Sequence, residues 1–245
     1  MGFKDFLLSE GIEDKGILKA MFLAGTPGAG KSYTFRKITD GSIHPRVVNT
    51  DRFFEYYGKK LKINLNTDEN ADTVWKSYED KIYLLNKESL KNYINSMLPL
   101  IIDGTSVSPN NLLLRVGILE SFGYDTTMVY IETDLKTALK RNSERARRVP
   151  EDFIIKSHEL ITKSEDFYKN KFQKFFKIKN GDGEMTDDDI TEAYRKVGNF
   201  YTSPVSNPIG QEIIEKLKSE KQKYLTPTII SVRELDSKLD FWYRT

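Results

Sequence analysis

Short apolar runs alternate with longer amphipathic segments through most of the chain. Runs with the length and composition of buried strands lie at 17–24, 46–49, 97–103, 126–132 and 175–179. Between them, apolar residues recur every three or four positions, which is the period of a helix that buries one face. Strands separated by helices in this way predict right-handed β-α-β crossovers and a parallel sheet covered on both faces. The chain is therefore predicted to be a three-layer α/β protein with about five strands.

Several helices are indicated by their ends as well as by their period. The segment 75–94 is predicted to form one or two helices. Pro150 is predicted to open a helix that extends toward residue 168, because proline is favoured at the first helical position. Thr186 and Asp189 have the spacing of a capping box for the next helix, and the acidic cluster there lacks the ligand spacing of a calcium loop.

The last part of the chain has a weaker pattern. Residues 203–210 contain two prolines and are predicted to form a linker or a turn. A charged helix is predicted at 211–224 and a strand at 228–232. We therefore expect a main domain at 1–203 and a small C-terminal extension at 204–245.

The first predicted strand is followed by a phosphate-binding sequence. Residues 25–32 fit the pattern G-x-x-x-x-G-K-[ST], in which backbone N–H groups surround phosphates at the N-terminus of a helix. Lys31 is expected to reach the β- and γ-phosphates, and the Ser32 hydroxyl is expected to bind Mg²⁺. Glycine is required because such a loop needs positive φ angles and a close approach to the anion. The expected nucleotide contacts are Gly25, Thr26, Pro27, Gly28, Ala29, Gly30, Lys31, Ser32 and, in the next turn, Thr34.

Carboxylates follow the second and third predicted strands. Asp51 has two interpretations: it accepts the proton of an acceptor hydroxyl, or it caps the helix that follows, and one aspartate can do both. Asp103 ends the third strand, where a Walker-B-type carboxylate meets Mg²⁺ or its waters; the alternative is a plain strand-end turn. Thr105 is expected to touch the substrate. Because ligands of parallel sheets bind outside the carboxyl ends of the strands, these positions are expected to converge on the phosphate-binding loop.

An arginine-rich segment occupies about 139–152. Arg141, Arg145 and Arg148 are spaced i, i+4 and i+7, so a continuous helix would place them on one stripe. Several guanidinium groups on one face suit the charge of a transferring phosphoryl group, which predicts a helical lid over the nucleotide. The alternative is a solvated basic face or a patch for a phosphate backbone. Arg148 is further assigned to substrate binding, and Asn180, after the last strand, to the adenine.

Composition narrows the function classes without choosing among them. The chain has 245 residues and a net charge of +2, so any basic surface for nucleic acid must be local. It contains no cysteine, which excludes a disulfide framework, a thiolate zinc site and a cysteine nucleophile. No apolar segment has the length of a membrane span or a signal peptide, and a cytoplasmic protein is expected. The histidines are isolated in sequence, and we expect them to be ordinary surface or core residues.

Taken together, these residues resemble the phage-type polynucleotide 5′-kinases and, more distantly, the zeta-toxin-like kinases. The likeness lies in the loop 25–32, in Asn49 and Asp51, and in the lid sequence, where Arg141 and Arg145 match two arginines four positions apart. It does not extend to the C-terminal extension. The resemblance implies ATP or another nucleoside triphosphate with Mg²⁺, and a location in the host cytoplasm if the protein is phage-encoded.

The resemblance also implies that Asp51 is the general base. The sequence departs from the family pattern at one position nearby. The family usually has an arginine three residues after the base, where it grips the phosphate of the acceptor. Here that position holds Phe54, and Arg52 is the candidate replacement.

Sequence and resemblance together predict an ATP-dependent kinase that phosphorylates a hydroxyl group. The expected acceptor is nucleic acid, at a 5′-hydroxyl or at a hydroxyl on a modified base. A nucleoside, nucleotide or nucleotide sugar is the alternative acceptor, as in the zeta-toxin-like enzymes. A nucleotide-binding protein without kinase activity is the third interpretation. The sequence indicates neither an oligomeric state nor a preference between ATP and GTP.

Overall fold

The computed structural model describes residues 16–39, 44–65, 67–104, 106–145, 148–181, 186–220 and 232–244. The strands in these ranges are β1 (Lys19–Ala24), β2 (Arg46–Val48), β3 (Leu100–Asp103), β4 (Asp125–Glu132) and β5 (Phe175–Lys179). The helices are α1 (Lys31–Ile38), α2 (Asp51–Leu61), α3 (Asp68–Asn95), α4 (Pro109–Ser121), α5 (Leu135–Ser143), α6 (Glu151–Lys163), α7 (Glu165–Lys171), α8 (Asp187–Thr202), α9 (Pro208–Glu220) and α10 (Val232–Arg244). None of these helices combines the length and the apolar character that crossing a membrane requires.

The strands form one parallel sheet in the order β2-β3-β1-β4-β5. β1 lies in the centre and is buried along its whole length. In the register of the sheet, Leu23 of β1 is paired with Asp103 of β3 and with Val129 of β4. The carboxyl ends of the three central strands therefore meet at one edge, which is where ligands bind in open parallel sheets.

Helices cover both faces of this sheet. Successive side chains of a strand point to opposite faces. Phe22 accordingly joins a core that includes residues of α3, α4, α7, α9 and α10, whereas Leu23 joins a second core with residues of α1 and α8. The three-layer α/β fold with five parallel strands is confirmed.

The described C-terminal helices pack against the main core. Leu217 of α9 and Leu239 of α10 belong to the same buried cluster as Phe22, and α10 contacts both α3 and α4. The division into a main domain at 1–203 and an extension at 204–245 stays a prediction. The surfaces that α9 and α10 cover are supplied by residues distant in the chain, which the sequence pattern did not indicate.

Other differences concern where helices begin and end. α3 is a single helix of 28 residues. The helix predicted from Pro150 is interrupted at Ser164, which separates α6 from α7. Of the strand predicted at the C-terminal end, residues 228–231 lie outside the described ranges, and Val232 begins α10. The capping box predicted at Thr186 is present at the start of α8.

Candidate active site

The phosphate-binding loop joins β1 to α1 in the conformation that its motif requires. Gly28 and Gly30 have φ angles of 92° and 82°, which residues with side chains rarely adopt. A Cβ atom at Gly30 would lie 2.5 Å from the amide nitrogen of Asn180. Both the backbone conformation and the available space therefore restrict this position to glycine.

Lys31 is held inside the loop. Its Nζ donates hydrogen bonds to the carbonyls of Gly25 (2.7 Å) and Thr26 (3.3 Å). Desolvation lowers the pKa of Lys31 to about 8; the carboxylate of Asp103 opposes this shift, and Arg145 adds to it. Phosphate groups in the loop would favour the charged form, because a nearby negative charge raises the pKa of an ammonium group. The loop is therefore suited to a polyanion.

Asp103 lies beside the loop at the end of β3. The Nδ2 of Asn49 donates a hydrogen bond to its Oδ2 (3.0 Å). Burial raises the pKa of Asp103, while Lys31 and the hydrogen bond from Asn49 counteract this effect. The Ser32 hydroxyl is exposed in the same cleft.

One carboxylate and one hydroxyl fit a magnesium ion in a nucleotide site. Mg²⁺ in such sites uses few protein ligands and completes its coordination with phosphates and water. Within the described ranges, no three histidine or acidic side chains cluster as a metal site of their own. Asp103 and Ser32 are therefore the residues that would hold the ion together with a bound nucleotide.

Asp51 is the first residue of α2. The N-cap position belongs to Thr50, whose side chain makes no capping hydrogen bond. The Asp51 N–H donates to the Oδ1 of Asn49 (2.7 Å), so Asn49 links Asp51 to Asp103. The Asp51 carboxylate lies in the first helical turn, where negative charge is favoured, and it is exposed in the wall of the cleft. This position leaves the carboxylate accessible to an acceptor hydroxyl.

An open cleft of about 1140 Å³ connects these groups. Its charged lining residues are Lys31, Arg36, Asp51, Arg52, Glu55, Lys59, Asp103 and Arg145. The residues of the phosphate-binding loop that line it are Pro27, Gly28, Gly30, Lys31 and Ser32. The phosphate-binding loop, both predicted carboxylates and one lid arginine thus share a single cavity.

The arginine-rich segment does not form one continuous helix. α5 ends at Ser143, so Arg145 lies in the turn beyond it and Arg148 lies in the link to α6. The predicted single stripe is therefore wrong. The buried Asn142 explains the turn, because its side chain exchanges two hydrogen bonds (2.8 and 2.9 Å) with the backbone of Val149. Arg145 lines the cleft; Arg148 is exposed outside its lining, and its substrate contact stays a prediction.

Arg141 lies behind the loop and does not line the cleft. Its guanidinium donates hydrogen bonds to the carbonyls of Asn180 (2.9 Å) and Gly181 (2.8 Å). The side-chain amide of Asn180, which is 5% exposed, donates to the carbonyl of Ala29 in the loop (2.7 Å). The Thr133 hydroxyl donates to the Asn180 carbonyl (2.8 Å). Asn180 therefore supports the loop in place of the adenine contact expected from the sequence, and this geometry does not support a transition-state role for Arg141.

Three threonines predicted from the sequence differ in their surroundings. Thr34 is fully buried in α1, so the expected nucleotide contact is wrong for it; its hydroxyl has no hydrogen-bond partner among the described residues. The Thr26 hydroxyl is buried and lies 3.1 Å from Nδ1 of His158 on α6. Sequence reasoning missed this contact because 132 positions separate the two residues. Thr105 lies outside the described residues.

The acceptor half of the cleft, which is lined by α2 and the end of α1, differs from the kinases that the sequence resembles. Phe54 is 2% exposed and packs against Trp75 with ring centroids 5.7 Å apart, so it belongs to a small core between α2 and α3. Arg52 lines the cleft, as expected for a replacement. Arg36 and Lys59 also line it, and sequence reasoning missed both. Helical spacing could have indicated both residues. Arg36 follows Ser32 by one turn and Lys59 follows Arg52 by two turns, so each pair shares a helix face.

A parallel sheet with this phosphate-binding loop after its central strand defines a P-loop kinase fold. The chain belongs to the AAA_33 family, described as an AAA domain, whose profile matches residues 21–164. The matched segment contains the loop, Asp51, Asp103 and both arginines predicted for the lid. The protein thus has the fold of the P-loop kinases, and its family match includes the phosphate-binding loop.

Known proteins similar to this chain include a curated tRNA kinase and two solved structures. L-seryl-tRNA(Sec) kinase from Methanococcus maripaludis is 26% identical over 145 residues, which is 57% of this chain. The chain spans about half the length of that relative, 51%. The structure of a proposed kinase from Chloroflexus aurantiacus J-10-fl gives a TM-score of 0.54 at 11% identity, over 74% of this chain and 97% of that one. At this identity the likeness shows the fold alone. The PezAT toxin–antitoxin structure from Streptococcus pneumoniae gives a TM-score of 0.45 at 17% identity, over 91% of this chain and 98% of that one.

Proposed function

We propose that the protein transfers the γ-phosphoryl group of ATP to a hydroxyl group carried by nucleic acid or a nucleotide. The proposal rests on one observation: Asp51 and Lys31 line the same cleft. A carboxylate suited to accept a proton therefore shares a space with a loop suited to hold a triphosphate.

The donor is bound by the phosphate-binding loop. Its N–H groups and the Lys31 ammonium would hold the β- and γ-phosphates, and Ser32 and Asp103 would hold Mg²⁺ against them. When bound, Mg²⁺ neutralises part of the phosphate charge. The support for this arrangement is the position of these side chains around one loop, together with the low pKa of Lys31, which a polyanion would restore.

The transfer itself requires a base and a stabilising cation. The acceptor oxygen forms a bond to the γ-phosphorus as the bond from that phosphorus to the β,γ-bridging oxygen breaks, and Asp51 takes the proton of the hydroxyl. Arg145, which lines the cleft, would stabilise the charge on the moving phosphoryl group. Arg141 would act indirectly, by supporting the loop through Asn180.

Two considerations favour an acceptor that carries phosphate. The cleft is lined by Arg36, Arg52 and Lys59 beyond the cations at the loop, and cations of this kind suit phosphate groups. The curated relative is, by its name, a kinase of L-seryl-tRNA(Sec), so a hydroxyl linked to RNA is among the acceptors to be tested. A small nucleoside or nucleotide sugar is the alternative acceptor.

The proposal is tested by incubating the protein and γ-labelled ATP with 5′-hydroxyl DNA, 5′-hydroxyl RNA, seryl-tRNA, hydroxymethyl-containing duplex, nucleoside monophosphates, nucleosides and nucleotide sugars. Label transferred to a nucleic acid or a nucleotide supports the proposal. Label found only on a nucleoside or on a sugar hydroxyl supports the alternative. ATP binding without transfer to any acceptor in the panel would contradict kinase activity on these classes.

A further inference from the structure

The acceptor half of the cleft carries three cations whose charge is not compensated by an ion pair. Arg36 on α1 and Arg52 and Lys59 on α2 are all exposed and all line the cleft. Within the described part of the chain, none of the three lies within 4.0 Å of a carboxylate oxygen. Elsewhere on the surface, lysines are commonly paired, as Lys76 is with Asp72 (3.4 Å). The three cations are therefore available to a ligand.

The spacing on α2 constrains the shape of that ligand. Arg52 and Lys59 are seven residues apart, nearly two turns, so they share a face and are separated by about 10 Å along the helix axis. This distance exceeds the width of one phosphate group. Glu55 lies between them and also lines the cleft. The resulting order of charges, positive, negative and positive, disfavours one large anion and favours phosphates separated by an uncharged unit.

The position of α2 in the fold leaves room for a long ligand. Among the described strands, β2, which precedes α2, lies at an edge of the sheet and pairs only with β3. Val47 of this strand is 40% exposed and lines the cleft. Phe153 on α6 also lines it and is 48% exposed, and an exposed ring of this kind can stack on a base.

We propose that α2 binds the phosphodiester backbone of a single strand whose terminal hydroxyl lies at Asp51. One backbone phosphate contacts Arg52, with Arg36 nearby in the same cleft, and a phosphate further along the strand contacts Lys59. The uncharged sugar between them faces Glu55, which in an RNA strand can accept a hydrogen bond from the ribose 2′-hydroxyl. This inference rests on the proposed function and specifies its acceptor: a strand of several nucleotides is preferred over a nucleoside, which has no phosphate for either Arg52 or Lys59.

The test compares Lys59→Ala with Lys60→Ala, an exposed lysine on the same helix that does not line the cleft. Transfer from ATP is measured to a nucleoside and to 5′-hydroxyl oligonucleotides of increasing length, in DNA and RNA arms. Binding of oligonucleotides with a 3′ fluorophore is measured separately by anisotropy. Lys59→Ala is expected to raise KM for long oligonucleotides about tenfold and to lower the salt slope of binding by about one, because one phosphate contact is lost. The effect of Lys59→Ala on long oligonucleotides is expected to exceed its effect on a nucleoside, and Lys60→Ala is expected to keep the wild-type kcat, KM and ATP affinity.

Failure of the inference and failure of the proposed function give different results. If transfer occurs but Lys59→Ala and Lys60→Ala have the same KM for long oligonucleotides, the inference is overturned and the kinase stands. If no acceptor is phosphorylated yet Lys59→Ala alone weakens oligonucleotide binding, the strand site stands and the proposed function fails. A loss of nucleoside activity equal to the loss with oligonucleotides would also overturn the inference. Arg52→Ala, with the same measurements, provides a second variant if Lys59→Ala does not fold.

Discussion

The two sides of the cleft use their polar groups in opposite ways. On the donor side, where α5 and β5 pack behind the phosphate-binding loop, Arg141 and Asn180 belong to one hydrogen-bond network that ends on the carbonyl of Ala29. On the acceptor side, formed by α2 and the end of α1, Arg52 and Lys59 are exposed and have no ion-pair partner among the described residues.

In the proposed kinase, this difference follows from what each side would recognise. A triphosphate is bound by backbone N–H groups, which must be fixed before the ligand arrives, and a satisfied buried network provides that rigidity. Exposed cations remain hydrated and mobile, and they can adjust to a longer polyanion. The comparison predicts that substitutions on the donor side change stability and nucleotide binding, whereas those on the acceptor side change turnover or acceptor affinity.

The largest effect is expected for Asp51→Asn. Loss of the carboxylate removes the proton acceptor, so kcat should fall by about 10²–10⁴, while ATP affinity stays that of the wild type. Initial rates of transfer and calorimetric ATP binding measure the two quantities. Asp72→Asn, at an exposed carboxylate of α3, is the control and should retain kcat. Full activity of Asp51→Asn would contradict the assignment of the base.

Arg145→Ala tests the arginine that, among the described residues of the lid segment, lines the cleft. Turnover should fall on the order of 10³ if this guanidinium stabilises the transferring phosphoryl group. The melting temperature should not change, because the Arg145 side chain makes no hydrogen bond with another described residue. Lys140→Ala, an exposed position of α5, is the matched control. A change confined to salt-sensitive binding of nucleic acid would indicate a basic patch instead.

Arg141→Ala should show the opposite pattern. Its guanidinium donates to the carbonyls of Asn180 and Gly181, so its loss should lower the free energy of unfolding by about 1.5–3 kcal/mol. ATP affinity should fall as well, because Asn180 then supports the loop less firmly. Denaturant unfolding and ATP binding provide the readouts, with Lys140→Ala again as control. An Arg141→Ala protein of wild-type stability with a large loss of kcat would restore the role that the sequence predicted.

The smallest effect concerns the pH dependence of nucleotide binding. The pKa of Lys31 is about 8, below its ordinary value of 10.5, so the ammonium group loses its proton above pH 8 when no nucleotide is present. ATP favours the charged form, and binding in this range must take up a proton. ATP affinity should then fall by up to about tenfold per pH unit. Titration calorimetry in buffers with different ionisation enthalpies measures the proton uptake.

Two further observations check the sign of this effect. Without nucleotide, the native state holds fewer protons than the unfolded chain between pH 8 and 10.5, so the free energy of unfolding should rise with pH in that window. Lys31→Met should lose this slope, since it has no proton to release. Binding without proton uptake above pH 8 would show that Lys31 does not face the phosphates.

Much of the fold could be predicted because strands and helices alternate with clear periods. The apolar runs at 97–103 and 175–179 became β3 and β5, and the motif at 25–32 became a loop with positive φ at its glycines. The packing of the C-terminal helices could not be predicted in the same way. Their apolar faces are visible in the sequence, but the surface that each of them covers is supplied by residues far away in the chain.

The candidate site was predictable in part for the same reason. Asp51 and Asp103 follow strands directly, so a parallel sheet brings them to one edge whatever the details of packing. Arg141 and Arg145 were expected to act together. Their separation depends on Asn142, whose side chain binds the backbone of Val149 and ends the helix between them.

The sequence by itself determined the parallel sheet, the phosphate-binding loop and the edge of the sheet at which Asp51 and Asp103 lie. These features depend on local backbone preferences and on the period of apolar residues, both of which are written in short segments. The tertiary structure decided that Arg141 and Asn180 support the loop, that His158 reaches Thr26, and that Lys59 enters the cleft. Such contacts join residues distant in the chain, and they form only when the packing of whole helices fixes where each side chain lies.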